Sequence, residues 1–133
     1  MKIGFVGLGK MGASMVKRLL QHGHEVVAYD LSSSLEIKSA EKKMKRADSI
    51  ADVVRNLPQR RMIWLMVPAG APVTENIEEL SKQLDARDIV IDGGNSNWRD
   101  TQIRAGELAK LNIDLIDCGT SGGIWGLENG YCL

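Results

Sequence analysis

An excess of charge of either sign, paired cysteines and long apolar runs are all missing from this chain, and each absence removes a class of function. Its 133 residues carry 17 lysines and arginines against 17 aspartates and glutamates, a formal net charge of zero. A general nucleic-acid or membrane-surface binder needs a basic excess. No apolar run approaches the roughly 20 residues that span a bilayer. The N-terminus is expected to enter a strand at once, with no room for a signal peptide. Cys118 and Cys132 are the two cysteines and form no Cys-x-x-Cys pattern. Buried thiols are expected of them, rather than a disulfide or a metal site. His22 and His24 flank Gly23 and are expected at the surface. With no cysteine or carboxylate pair close by, they do not make a metal site.

What is present is an ordinary globular balance, 44% hydrophobic and 26% charged, on a length that suits one domain with a real core. Lys2-Ile3-Gly4-Phe5-Val6 reads as a buried strand, Gly7-Leu8-Gly9-Lys10-Met11-Gly12 follows, and a helix begins directly after. Gly-x-Gly-x-x-Gly between a strand and a helix is a dinucleotide-binding signal. Gly7 permits a sharp turn, Gly9 lets a pyrophosphate approach the backbone, and Gly12 lets the helix pack closely on the sheet. The helix then presents unpaired N–H groups and its positive end to the phosphates. Asp30 closes the next strand, where a carboxylate can accept from the adenosine ribose hydroxyls and repel a 2′-phosphate. Leu31 and Ser32 follow it rather than an arginine, so NAD is favoured. NADP stays possible through Lys38 or its basic neighbours.

Along the chain, a helix is expected over Lys10–Gln21 with Ala13, Val16, Leu19 and Leu20 toward the sheet and Gly23 as its stop. A strand follows over Glu25–Tyr29. Ser32, Ser33 and Ser34 offer caps for a helix over residues 35–43. Lys38, Lys42, Lys43, Lys45 and Arg46 read as a solvated basic face balanced by Glu36 and Glu41. A minor strand near residues 44–47 precedes a short helix through Ile50, Val53, Val54 and Leu57, capped by Asp48 or Ser49 and closed by Pro58. Residues 62–67 are nearly continuous apolar chain, the mark of a central parallel strand. Pro72 opens the next helix, whose stripe is Val73, Ile77, Leu80 and Leu84. Residues 88–92 and 113–118 read as strands around a helix over residues 98–110, with Ala105 and Leu108 inward.

This unbroken alternation implies an α/β fold of the Rossmann type: one doubly wound, mainly parallel sheet in three layers, with a single domain over residues 1–133. The glycine turn, Asp30 and the loops at Pro68, Asn95 and Ser121 then all leave strands at one edge. Asn95 could touch a nicotinamide and a sugar hydroxyl together, or form an Asx turn capping the helix at Trp98. Gly119-Thr120-Ser121-Gly122-Gly123 could cradle an anion with its N–H groups, or be a plain glycine loop.

At these loops the chain resembles the 6-phosphogluconate dehydrogenase family. The residues that carry this are the turn from Gly7 to Gly12, Asp92-Gly93-Gly94-Asn95-Ser96, and the run over residues 119–133. Ile124-Trp125 stands where the family's longer branch has paired glutamates, so the likeness is to the shorter, often NAD-linked branch. The resemblance implies a cytoplasmic oxidoreductase of the pentose phosphate pathway and gluconate utilization. It oxidises 6-phospho-D-gluconate at C3 and releases CO2 to give ribulose 5-phosphate. It also implies cofactor contacts from Gly7, Leu8, Gly9, Lys10, Met11, Gly12, Asp30, Leu31, Ser32, Val67, Pro68, Ala69 and Asn95. Asn95, Ser121, Gly122 and Gly123 would contact substrate.

The family's catalytic Lys and Glu, its His-Asn substrate pair and its helical dimer domain lie beyond the point matching Leu133. The chain alone is therefore expected to bind dinucleotide without turnover, with no catalytic or metal-ligating residue of its own. Trp125, Leu127, Tyr131 and Leu133 are expected to form an exposed apolar end through which it self-associates. Two other readings fit the first motif: another β-hydroxyacid dehydrogenase, such as one for 3-hydroxyisobutyrate, and a non-catalytic dinucleotide-sensing module.

Overall fold

The structure is a computed structural model and describes residues 1–32 and 43–133. Residues 35–42 of the helix expected over residues 35–43, its caps Ser33 and Ser34, and with them Glu36, Lys38, Glu41 and Lys42 of the charged cluster, lie outside the described residues. β1 (Lys2–Val6) leads through the glycine turn into α1 (Lys10–Gln21). Gly23, at φ 83°, closes α1. Its N–H donates to Leu20 O and that of His24 to Leu19 O, both at 3.0 Å, which satisfies two carbonyls of the last turn. β2 (Glu25–Tyr29) and the short β3 (Met44–Arg46) follow.

α2 (Ile50–Arg55) starts at Ser49, whose Oγ accepts the Asp52 N–H at 3.1 Å. Arg55, hydrogen-bonded to Asp52, holds that carboxyl below its ordinary value. Whatever Asp52 adds to this cap is present above the ordinary carboxylate range and is lost as pH falls through the lowered value. The remainder alternates: β4 (Met62–Leu65), α3 (Ala71–Ser81), β5 (Ile89–Asp92), α4 (Trp98–Ala109) and β6 (Asp114–Asp117). A 3₁₀ turn at Gly123–Trp125 runs into α5 (Gly126–Asn129).

Among the described residues all six strands are parallel, in the order β3-β2-β1-β4-β5-β6. The order reverses between β1 and β4, and in open parallel sheets a ligand crevice lies at the carboxyl ends of the strands flanking such a reversal. One face packs Phe5, Val26, Trp64 and Ile91 against Met15, Val16 and Leu20 of α1. The other packs Val6, Val27, Leu65 and Val90 against α2, α3 and α4. These are the three layers read from the sequence. Phe5 and Trp64 stack at 6.3 Å across the β1–β4 pair.

Several local expectations need correction. Ala13 and Leu19 are half-buried, and Met15 is buried in their place, because α1 crosses the sheet with the Gly12–Met15–Val16–Leu20 stripe inward. β4 ends at Leu65, since the Met66 N–H still pairs with Val6 O but the chain then turns away. On α4, Thr101, Arg104 and Leu108 point inward, and Ala105 is half-buried. Cys118 is half-buried and Cys132 exposed, both as free thiols rather than buried ones, because the first ends at an edge strand and the second lies on a surface bridge. His24 is half-buried beside exposed His22. Lys43, Lys45 and Arg46 donate to Gly23 O, Asn56 Oδ1 and Ser32 O respectively, so these three belong to the β3 margin rather than a free helix face. Trp125 and Leu133 are exposed, whereas Leu127 and Tyr131 are half-buried.

The C-terminal residues fold back on α1. Ser121 and Cys132 form an antiparallel bridge with two 3.0 Å hydrogen bonds. The Tyr131 ring packs over Gly126 and Gly122, where a Cβ would collide with it. Arg18 of α1 donates to the carbonyls of Leu127 at 2.9 Å and Glu128 at 3.3 Å.

Candidate functional site

At the carboxyl edge the chain builds a two-part cleft. The larger part, about 560 Å³, opens between Gly7, Asp30, Leu31 and Ile50 on one side and Pro68, Glu75 and Asn76 on the other. The smaller, about 300 Å³, lies between Lys10, Met11 and Gly12 and the residues Gly93, Gly94 and Asn95. Gly9, Met66, Val67 and Pro68 line both, so the two parts are continuous across the sheet's point of reversal.

The glycine turn is fixed from three sides. Gly7 sits at φ 96°, a conformation that favours glycine, and its N–H donates to Tyr29 O at 2.9 Å. Leu8 is buried and its N–H donates to Asp30 Oδ2 at 2.6 Å. Asp30 Oδ1 accepts from Ser32 N–H at 2.7 Å. Asp30 thus braces the turn from the neighbouring strand, a role sequence reading missed. A carboxylate has about four lone-pair positions, so acceptor capacity remains toward the cleft. α1 begins at Gly9 with no side-chain cap and no acidic residue in its first turn. The first bond of the helix runs from Ala13 N–H to Gly9 O at 2.9 Å, which leaves the N–H groups of Lys10, Met11 and Gly12 ahead of it at the cleft.

The Asn95 loop is ordered differently from expectation. Asn95 is a non-glycine residue at φ 55°. Its Nδ2 donates to Thr120 O at 3.1 Å, and its Oδ1 accepts Thr120 N–H at 2.8 Å. One amide thereby fastens the β5 exit to the β6 exit and still keeps one N–H and one lone pair. The cap of α4 is Asn97, whose Oδ1 accepts from Arg99 N–H at 3.0 Å, not Asn95. Ser96 Oγ is buried with no hydrogen bond among the described residues.

Around Ser121, the N–H groups of Thr120 and Ser121 are engaged by Asn95 Oδ1 and Cys132 O. An anion cradle there would have to use Gly122 and Gly123, both exposed and at positive φ. The structure therefore gathers Gly7, Gly9, Lys10, Met11, Gly12, Asp30, Leu31, Val67, Pro68 and Asn95 on one cleft. Leu8 lies beneath it, bonded to Asp30, and Ser32 and Ala69 are exposed at its margins. Ser121, Gly122 and Gly123 line neither part of it and follow Thr120, which the Asn95 clamp holds.

Thr120 and Arg104 were not foreseen. The available signal for Arg104 was its phase: Thr101, Arg104 and Leu108 share one helical face, and a charge on an inward face requires a buried partner.

Comparison with known proteins agrees with this geometry. Residues 2–133 match the family model for the NAD binding domain of 6-phosphogluconate dehydrogenase. An NAD(+)-dependent, decarboxylating 6-phosphogluconate dehydrogenase of Haloferax volcanii is 44% identical over 133 residues, covering 100% of this chain and 44% of that protein. The decarboxylating enzyme of Candida albicans is 41% identical over 98% of this chain and 26% of its own length. The chain therefore spans less than half of these relatives. A solved 6-phosphogluconate dehydrogenase of Plasmodium falciparum, studied with its cofactor NADP+ and its substrate, superposes with a TM-score of 0.89. That match has 26% identity and covers 98% of this chain and 29% of the other. A 3-hydroxyisobutyrate dehydrogenase of Mycobacterium tuberculosis, 23% identical at a TM-score of 0.83, shares the fold. Sheet order, braced glycine turn and whole-length sequence match converge on one assignment: the chain belongs to the NAD-binding-domain family of 6-phosphogluconate dehydrogenase.

Proposed function

We propose that this chain binds a nicotinamide dinucleotide along the carboxyl edge of its sheet and serves as the cofactor-binding part of a cytoplasmic 6-phosphogluconate dehydrogenase. The observation that carries this is the uncapped start of α1 at the middle of a continuous cleft, with the Asp30 carboxylate at one end and Asn95 at the other. The turn over Gly7, Leu8, Gly9, Lys10, Met11 and Gly12 would hold the pyrophosphate. Asp30, Leu31 and Ser32 would lie at the adenosine ribose, and Val67, Pro68 and Ala69 along the cofactor. Asn95 would meet both nicotinamide and substrate through its remaining donor and acceptor, with Ser121, Gly122 and Gly123 beside the substrate. The nicotinamide, when bound, would accept the hydride from the sugar acid's C3–H, while the C3 hydroxyl gives its proton to a base.

Oxidation followed by loss of CO2 also needs a base and an acid near the reacting carbons. Lys10 lines one half of the cleft, and Asp30 and Glu75 the other. These side chains do not form a pair at one point. The chain by itself is accordingly expected to bind NADH, by fluorescence titration, and to give no NADH from NAD and 6-phosphogluconate. Absence of binding to both NADH and NADPH would end the proposal. Turnover by the 133 residues would overturn the division of labour.

NAD is the favoured cofactor because the half-buried Asp30 carboxylate lines the larger part of the cleft, where the adenosine ribose would lie. Asp30→Asn should shift the NADPH-to-NADH affinity ratio toward NADPH by about tenfold, about 1.4 kcal/mol. The ratio is the proper readout, since an amide also weakens the brace on Leu8 and Ser32 and so affects both ligands alike. An unchanged ratio would refute the preference.

A further inference from the structure

Arg104 is a buried cation that no part of the proposed ligand contact requires. Its residue is 6% exposed. Nε and Nη2 donate to Thr74 Oγ1 at 3.1 and 3.0 Å, and Nη2 also donates to Gly70 O at 3.0 Å. Nη1 faces Asp92 Oδ2 at 3.5 Å. Neither of those two atoms has a hydrogen bond among the described residues. Asp92 is fully buried, and its other oxygen, Oδ1, accepts the Gly94 N–H at 3.0 Å.

A buried guanidinium persists only where its partners replace its lost hydration. Here the partners come from two segments beside the cleft, Gly70 and Thr74 on one and Asp92 on the other. Gly70 ends the loop that carries Val67 and Pro68, and Gly94 directly precedes Asn95. These two loops run side by side from paired strands and together line the smaller half of the cleft opposite Lys10, Met11 and Gly12. A planar fork with fixed donor directions sets a distance between its acceptors in a way that a lysine cannot. The two loops are also close-packed on each other: a Cβ at Gly94 would lie 2.7 Å from Val67 O. A change in their spacing therefore cannot be absorbed by local slack.

We propose, resting on the dinucleotide reading above, that Arg104 is a positioning residue that fixes the wall carrying Asn95 in the nicotinamide half of the cleft, by tying the Gly70 loop to the Asp92–Gly94 loop. It touches no ligand itself. Asp30, at the adenosine half, directly follows β2 and lies outside this network.

The test compares two ligands on the chain as it stands, NADH and ADP, with thermal melts alongside. Arg104→Lys should weaken NADH by about tenfold while ADP changes by less than about twofold. Thr74→Val keeps the charge pair and removes the hydroxyl acceptor, so it stays informative if the lysine variant fails to fold. It should weaken NADH selectively by about threefold. Equal losses for NADH and ADP, or wild-type NADH affinity in a folded variant, would overturn the proposal. A wild-type chain that binds neither ligand would instead refute the dinucleotide reading and remove the proposal with it.

Discussion

Gly9→Val is expected to fold normally and to lose dinucleotide affinity by about a hundredfold, about 2.8 kcal/mol. Gly12→Val is expected to lose the fold. The two glycines belong to one motif but stand in opposite surroundings. Gly9 has φ −57°, which any residue adopts, and a Cβ built there meets nothing within 4 Å. The protein itself therefore places no demand on glycine at this position. The demand comes from the space in front of it, since Gly9 lines both halves of the cleft. At Gly12 a Cβ would run into the carbonyl of Gly7, with Phe5 3.3 Å away. Backbone on one side and a core ring on the other leave no room to give, and overpacking of this kind costs about 3 kcal/mol or more. The check is one thermal melt and one NADH titration per variant. A Gly9→Val chain that binds NADH as the parent does would show that nothing approaches the turn. A Gly12→Val chain that melts like the parent would show that α1 can move off β1.

The second large effect lies at the opposite edge of the sheet. Asp88→Ala is expected to destabilise the fold by about 3 kcal/mol. Asp88 is 1% exposed, and its carboxylate accepts the N–H groups of Arg61 at 2.7 Å and Asp85 at 2.9 Å and the Arg61 guanidinium at 2.8 Å. Removing it strands two backbone donors and half-strips a cation whose ionised form Asp85 and Asp88 together stabilise, raising its pKa. Exposed Asp85, which also pairs with Arg61 at 2.8 Å, should matter little by comparison: Asp85→Ala is worth about 0.2–1 kcal/mol. The melting temperature should fall by roughly 2–8 °C per kcal/mol, and NADH affinity of the folded Asp88→Ala chain should be unchanged. A loss below about 1 kcal/mol would mean that water replaces the carboxylate at that corner.

What the sequence could disclose follows from what leaves a local trace. The strand–glycine–helix unit does, because turn, close approach and amphipathic stripe fall within about twenty residues. The limits of α1 and β2 were therefore legible to the residue, and so was the Val73–Ile77–Leu80 stripe of α3, although Leu84, expected on the same helix, is buried just past its end at Ser81. The resemblance read from the residue runs at Asp92 and Gly119 placed the chain in the family that the comparisons show. Pairings between distant polar groups leave no such trace. Asn95 offered two roles on its own, and only Thr120, 25 residues on, shows how its amide is engaged. Asp30 reads as a ribose ligand until Leu8 is seen donating to it. Arg104 was passed over because a search for apolar periodicity skips a charge on the inward phase. The burial of Cys132 was misjudged because composition carries no information about which strand end reaches the surface.

The grip of Arg18 on the carbonyls of Leu127 and Glu128 has a mechanical consequence. α1 presents its amino end to the cleft and, two turns later, holds the segment that follows Ser121. It acts as a stiff lever with a load at each end. Any tilt of α1 would carry α5 with it, because the two share this arginine.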